Sequence, residues 1–186
     1  MPTESPIKHQ LEFAERCFTN AQELIRFIDQ KTGYLLAAVG ILTAIMGVLV
    51  TRIAEIKPEG DWQNISLAIG GGLILLFFIL AFVIICLSPI VLRARSHTSC
   101  PNRRAKGLIF PLMILNACPS ELQYADELIS ATPEQLLDEY ASQVVTLSQI
   151  FRIKQAYLNK ILCCFFTMAF VWAAAIAVLV PVLLYG

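Results

Sequence analysis

The chain has 186 residues, 57% of them hydrophobic and 15% charged, with a formal net charge of zero. A typical soluble chain is about 25% charged, so an ordinary water-soluble domain is excluded. The zero balance carries no information about partners, whereas the distribution of charge along the chain does.

Residues 5–32 have the pattern of an amphipathic helix. Ser5 is a suitable cap and Pro6 suits the first helical position. Ile7, Leu11, Ala14, Phe18, Ala21, Ile25 and Ile28 alternate spacings of four and three, which makes one narrow apolar seam for another helix. Asp29 and Lys31 are the last charges before a stretch, Thr32–Thr51, that has none. The switch marks a water boundary, and Gly33 lies where the helix can bend. These three residues are the candidate gating joint.

Two further stretches lack charge, Trp62–Leu92 and Ile161–Gly186. A helix of about 20 apolar residues crosses the hydrocarbon core, so spans are expected near 34–50, 65–87 and 161–183. The polar N-terminal segment lacks the apolar core of a signal peptide, and the first span is expected to stay in place. Ser88-Pro89 is expected to mark the frayed end of the second span. Gly33, Ala37, Gly40, Ala44 and Gly47 form a small-residue stripe in the first span, and Ala169, Ala173 and Ala177 another in the third. Gly70-Gly71-Gly72 opens the second. Such residues let helices approach closely, either within one subunit or between copies.

After the second span, Arg103, Arg104 and Lys106 lie in a turn-rich stretch. Three close cations suit a phosphate through charge-assisted hydrogen bonds, though the plainer reading is a topology signal beside anionic lipid. Arg152 and Lys154 are a second candidate set. Gly107–Asn116 is apolar but too short to span, and reads as an edge strand, a buried loop or an interfacial segment. Ser120–Ser130 has the pattern of a short capped helix. Thr132-Pro133-Glu134-Gln135 opens a long one with a capping box. Leu137, Val144, Phe151 and Leu158 follow at sevens, with Tyr140, Ala141, Leu147 and Ser148 between. Nothing stops this helix before the third span, so one continuous rod is expected.

Twelve of the 14 Lys and Arg residues lie before the first span or between the second and third; only Arg52 and Lys57 lie in the loop 51–64. The positive-inside bias places the N-terminus and residues 93–160 in the cytoplasm and the C-terminus outside. The six cysteines avoid the outer loop, so free thiols are expected. His97 and Cys100 lack the further ligands of a metal site. No charged residue or His lies within a span, against a selective ion pump or proton-coupled transporter. No phosphate loop, nucleophile elbow or His-Glu-x-x-His motif occurs. Neither catalysis, nor a cofactor, nor a nucleic-acid partner is expected.

The segment Phe27-Ile28-Asp29-x-Lys31, with Leu35-Leu36 and the small-residue span, resembles the membrane effectors of bacterial Pycsar anti-phage systems. So does Ser142-Gln143-Val144-Val145-x-Leu147-Ser148-x-Ile150, with Lys154 and Tyr157 before the last span. The resemblance implies an inner-membrane effector that responds to a cyclic pyrimidine nucleotide, cCMP or cUMP, made by a neighbouring cyclase. The response disrupts the membrane and kills the infected cell. Further copies of the chain and the lipid bilayer are the other implied partners. The alternatives are a non-enzymatic membrane scaffold and a constitutive holin-like toxin. The expected fold is all-α, with a cytoplasmic helix over 1–32, two spans within 33–92, a cytoplasmic loop and long helix over 93–160, and a third span over 161–186.

Overall fold

The computed structural model describes residues 6–55, 60–93, 108–109, 114 and 120–185, and these contain no strand. The helices are α1 (Pro6–Ala54), α2 (Asp61–Leu92), α3 (Glu121–Ser130) and α4 (Pro133–Tyr185). Three of them, α1, α2 and α4, are long and apolar enough to cross a bilayer. The expected all-α fold with three spans is what the chain forms.

Local chemistry explains where the helices begin and end. At the start of α4 the Gln135 N–H donates to Thr132 Oγ1 at 3.3 Å, and the Thr132 N–H donates to Gln135 Oε1 at 3.0 Å. This reciprocal box satisfies two otherwise orphaned donors. No Gly or Pro follows until Pro181, so α4 runs 53 residues without a break, about 80 Å at 1.5 Å per residue. Ser120 Oγ caps α3 by accepting from the Gln123 N–H at 3.3 Å. Thr132, which precedes Pro133, is biased away from helix, and α3 and α4 are therefore separate.

One expectation is corrected in α2. The helix does not fray at Ser88-Pro89 but continues to Leu92, where the Arg93 N–H donates to the Pro89 carbonyl at 2.8 Å. Pro89 supplies no N–H to the preceding turn. Inside an apolar medium the helix is still preferable, because any other backbone form would leave more groups unpaired. The buried Ser88 hydroxyl donates to the Ile84 carbonyl at 2.7 Å. Thr32 and Thr43 likewise donate to Ile28 and Val39 at 2.9 and 2.7 Å. Hydroxyls in the apolar helices thus find acceptors one turn back.

The chain divides into two compact units. A polar unit comprises Met1–Phe27 and Ala94–Ile153, and an apolar unit comprises Ile28–Arg93 and Lys154–Gly186. In the polar unit, Ile7, Leu11, Ala14, Phe18, Ala21 and Ile25 are the half-buried positions of α1, with Cys17 beside them, as the alternating spacing predicts. Phe18 meets Tyr140 of α4 edge to face, with ring centroids 5.8 Å apart. Leu108 is buried and its carbonyl accepts from the Tyr124 hydroxyl at 3.0 Å, which ties α3 to that stretch. The remainder of Gly107–Asn116 lies outside the described residues, apart from Ile109 and Ile114.

The α4 seam differs in part from the one its apolar residues suggest. Ala141 and Ser148 are exposed, whereas Glu139 and Gln143 are buried. Leu147 and Leu158 are buried as the seam predicts, Leu137, Val144 and Phe151 are half-buried, and Glu139, Gln143 and Lys154 are the polar members of the buried line. Gln143 Oε1 is buried with no hydrogen-bond partner. A buried, unsatisfied acceptor costs about 1–3 kcal/mol. Gln143→Leu is therefore expected to raise the thermal midpoint of the detergent-solubilised protein; a lowered midpoint would show that the amide makes contacts worth keeping.

In the apolar unit, Val39 and Met46 of α1, Phe77, Ala81, Ile84 and Val91 of α2, and Ile161, Met168, Ala175 and Leu179 of α4 form the core. Tyr34, Ile41, Phe82, Phe166 and Phe170 point outward. At most 28% of each hydrophobic window is buried within the subunit, so the remaining residues are at least partly open to lipid or another copy. Most of the small-residue stripe positions face away from the subunit, Gly47 and Ala169 being half-buried. Gly33, Ala37, Gly40 and Ala44 are exposed, as are Ala173 and Ala177, and a Cβ at Gly33, Gly40 or Gly47 would meet nothing within 4 Å. Gly70 alone among these glycines is pressed against a neighbour, the Leu179 side chain.

Candidate functional site

Among the described residues, a bidentate ion pair ties α1 to α4 in the apolar unit. The Lys154 ammonium donates to both oxygens of the Asp29 carboxylate, at 2.6 and 2.8 Å. The Lys154 side chain is 7% exposed and that of Asp29 35%. Two residues 125 positions apart in sequence are thereby joined. α1 delivers Asp29 because its seam passes through Ile28 and Thr32, both buried. α4 delivers Lys154 because the buried line Gln143, Leu147, Lys154, Leu158, Ile161 keeps one face. A bidentate pair of this kind fixes the facing registers of two helices, and removing Asp29 leaves Lys154 a buried charge.

The two candidate sets are thus partly merged. Asp29 was expected to act in gating and Lys154 in ligand binding, and the structure brings them together. Arg152 is exposed on another face of α4, and Lys31 is exposed on α1. Gly33 is exposed with open space around its α-carbon. Arg103, Arg104 and Lys106, and His97 and Cys100, lie outside the described residues. Glu139, which with Asp138 reads as part of a solvated helix face, is instead buried, and so is Gln143, which the sequence singles out only through the family resemblance. Their spacing of four, in line with Leu147 and Lys154, was the available signal.

Tyr140 belongs to the polar unit. Burial, and then the charge of Glu15, hold its phenol above the ordinary value of 10.0. The folded form favours the neutral phenol, so the contribution of Tyr140 is fully present below pH 10 and is lost as pH rises through its higher folded value. A melting series from neutral to strongly alkaline pH should show this loss, and Tyr140→Phe should remove that part of it.

Taken together, the features define an all-helical membrane protein with three spanning helices, two of which extend beyond their apolar stretches into a polar unit. A family model described as the Pycsar effector protein domain matches residues 13–181. The match takes in all three apolar helices and the segments of α1 and α4 that carry Asp29 and Lys154, and the chain belongs to that family. It is accordingly a Pycsar effector of anti-phage defence. No curated protein and no solved structure matches the chain.

Proposed function

We propose that the protein is switched by a cyclic pyrimidine nucleotide, cCMP or cUMP, and that switching makes several copies breach the bacterial inner membrane. The cell dies before phage mature. The N-terminus and residues 93–160 face the cytoplasm, the C-terminus faces the periplasm, and the protein acts by rearrangement rather than by catalysis. The observation that carries this reading is the single family match running through both the polar helices and the spans.

Other features support it. The spans hold no charged group, and a nonselective lesion needs no polar filter. The stripe Gly33–Gly47 is open along α1, which suits close approach by a second copy. Arg103, Arg104 and Lys106, with Arg152, are the cations proposed to hold the nucleotide phosphate. Moving a two-state assembly from 1:99 to 99:1 takes about 5.5 kcal/mol of differential binding, within reach of a phosphate held by several cations together with base stacking.

The test is depolarisation of bacteria expressing the chain, with and without a supplied cyclic nucleotide. Depolarisation only with cCMP or cUMP is expected. A permanent collapse would identify a constitutive toxin, and no collapse under either condition a scaffold. Replacing Arg103 and Arg104 by Ala should abolish the response. Gly40→Leu should block it too, while leaving the monomer's fold and nucleotide binding intact.

A further inference from the structure

We infer that the Asp29–Lys154 pair is a latch that holds the resting arrangement of α1 and α4, and that activation releases Lys154 from Asp29. The consequence of release rests on the proposed function, but the latch itself can be judged separately.

The pair occupies an unusual place. The neighbouring buried positions of the apolar unit are Ile28, Thr32, Leu158 and Ile161, none of them ionic. Replacing a buried ion pair by apolar side chains is often neutral or stabilising, so such a pair is a poor choice where stability alone is wanted. It is a good choice for a contact with two states. Closed, each charge is answered by the other at 2.6–2.8 Å. Open, both groups can be hydrated, because exposed Arg26 and Lys31 on α1 and exposed Arg152 and Asn159 on α4 mark polar surface within about a turn or two on each helix.

The local backbone of α1 is suited to movement at the same point. The Thr32 hydroxyl donates to the Ile28 carbonyl at 2.9 Å, a back-bond that weakens and often bends a helix. Gly33 follows with no side chain and open space around it. Asp29 therefore lies within the back-bonded turn, and Gly33 follows it by four residues. The division of the chain into units also falls beside both partners, between Phe27 and Ile28 on α1 and between Ile153 and Lys154 on α4. A staple, a soft turn and a unit boundary lie within about two turns of α1.

The test uses the full chain in lipid nanodiscs and hydrogen–deuterium exchange over residues 28–36 and 154–161. Five samples are compared with the resting protein: protein with cCMP, protein with cUMP, Asp29→Lys, Lys154→Asp, and the double reversal. Each single reversal, and whichever nucleotide activates, should lower protection in both windows by about tenfold or more. The double reversal, which restores opposite charges, should return protection to the resting level. If the single reversals do not accumulate, Asp29→Asn serves, since it keeps shape and a hydrogen-bonding oxygen; it should show the same loss. Protection in the reversals or in Asp29→Asn equal to that of the resting protein overturns the latch, as does failure of the double reversal to restore it. A nucleotide that makes vesicles leak while both windows stay protected also overturns it, and leaves the proposed function standing. If neither nucleotide makes vesicles leak, the proposed function fails, while the reversals still decide whether the pair holds the helices together.

Discussion

Asp29→Ala should be among the most destabilising single substitutions in the chain, costing about 3 kcal/mol, at the lower end of the ~3–5 kcal/mol expected on loss of one partner from a buried pair. The lower end applies because the Asp29 side chain is itself 35% exposed, so part of the pair is already wet. What remains after the substitution is a Lys154 ammonium with 7% of its side chain exposed and no carboxylate beside it. Lys154→Met should cost less. The stranded group would then be Asp29, which water can reach, and the Met chain replaces the apolar stem of the lysine. The pair of substitutions Asp29→Leu and Lys154→Met should be near neutral, because no charge is left buried. Thermal unfolding in detergent orders the three. Equal costs for the two single substitutions would show that the burial asymmetry has no energetic consequence.

Gly70→Ala is the second substitution with a large expected effect, about 1–3 kcal/mol of overpacking. A Cβ there would lie inside the contact distance of the Leu179 Cγ and Cδ2 atoms. Leu179 is fully buried, so its side chain has little room to swing aside, and α2 and α4 would have to part. Gly71→Ala and Gly72→Ala introduce the same methyl group into open space, and should be neutral or slightly stabilising. Shortening the opposing side chain should compensate, so Gly70→Ala with Leu179→Ala should recover part of the loss. If Gly70→Ala and Gly71→Ala unfold alike, the close approach of α2 to α4 is wrong.

Much of the fold is legible from residue chemistry. The charge-free stretches give three spans because length and hydropathy suffice for that inference. Thr132-Pro133-Glu134-Gln135 fixes the start of α4 because a capping box is local. The α1 seam matches because its apolar residues coincide with the half-buried positions of the helix. The α4 seam is only partly right: Leu147 and Leu158 are buried as expected, but Glu139, Gln143 and Lys154 are buried beside them, which a pattern of apolar residues cannot see. The fate of Pro89 is missed for a different reason: its effect on a helix depends on the surrounding solvent, which the dipeptide does not encode.

The candidate site was legible as two halves and not as a whole. Asp29 is conspicuous as one of the last charges before the first span, and Lys154 as a cation near the third. Their pairing across 125 positions is a tertiary fact with no local signature. The small-residue stripe of α1 shows the same limit. Its spacing announces a close approach but not the partner, and only the structure shows that the subunit's own helices leave it open. That openness supports the assembly of copies in the proposed mechanism.

Coupling between a soluble nucleotide and the integrity of a bilayer is the central claim. The most direct measurement is dye release from sealed vesicles of bacterial lipid that contain only the purified chain, its polar unit facing the added solution. Release on adding cCMP or cUMP, with none on adding cAMP or buffer, is the predicted result. Vesicles that stay sealed with every nucleotide, or that leak before any is added, would contradict it.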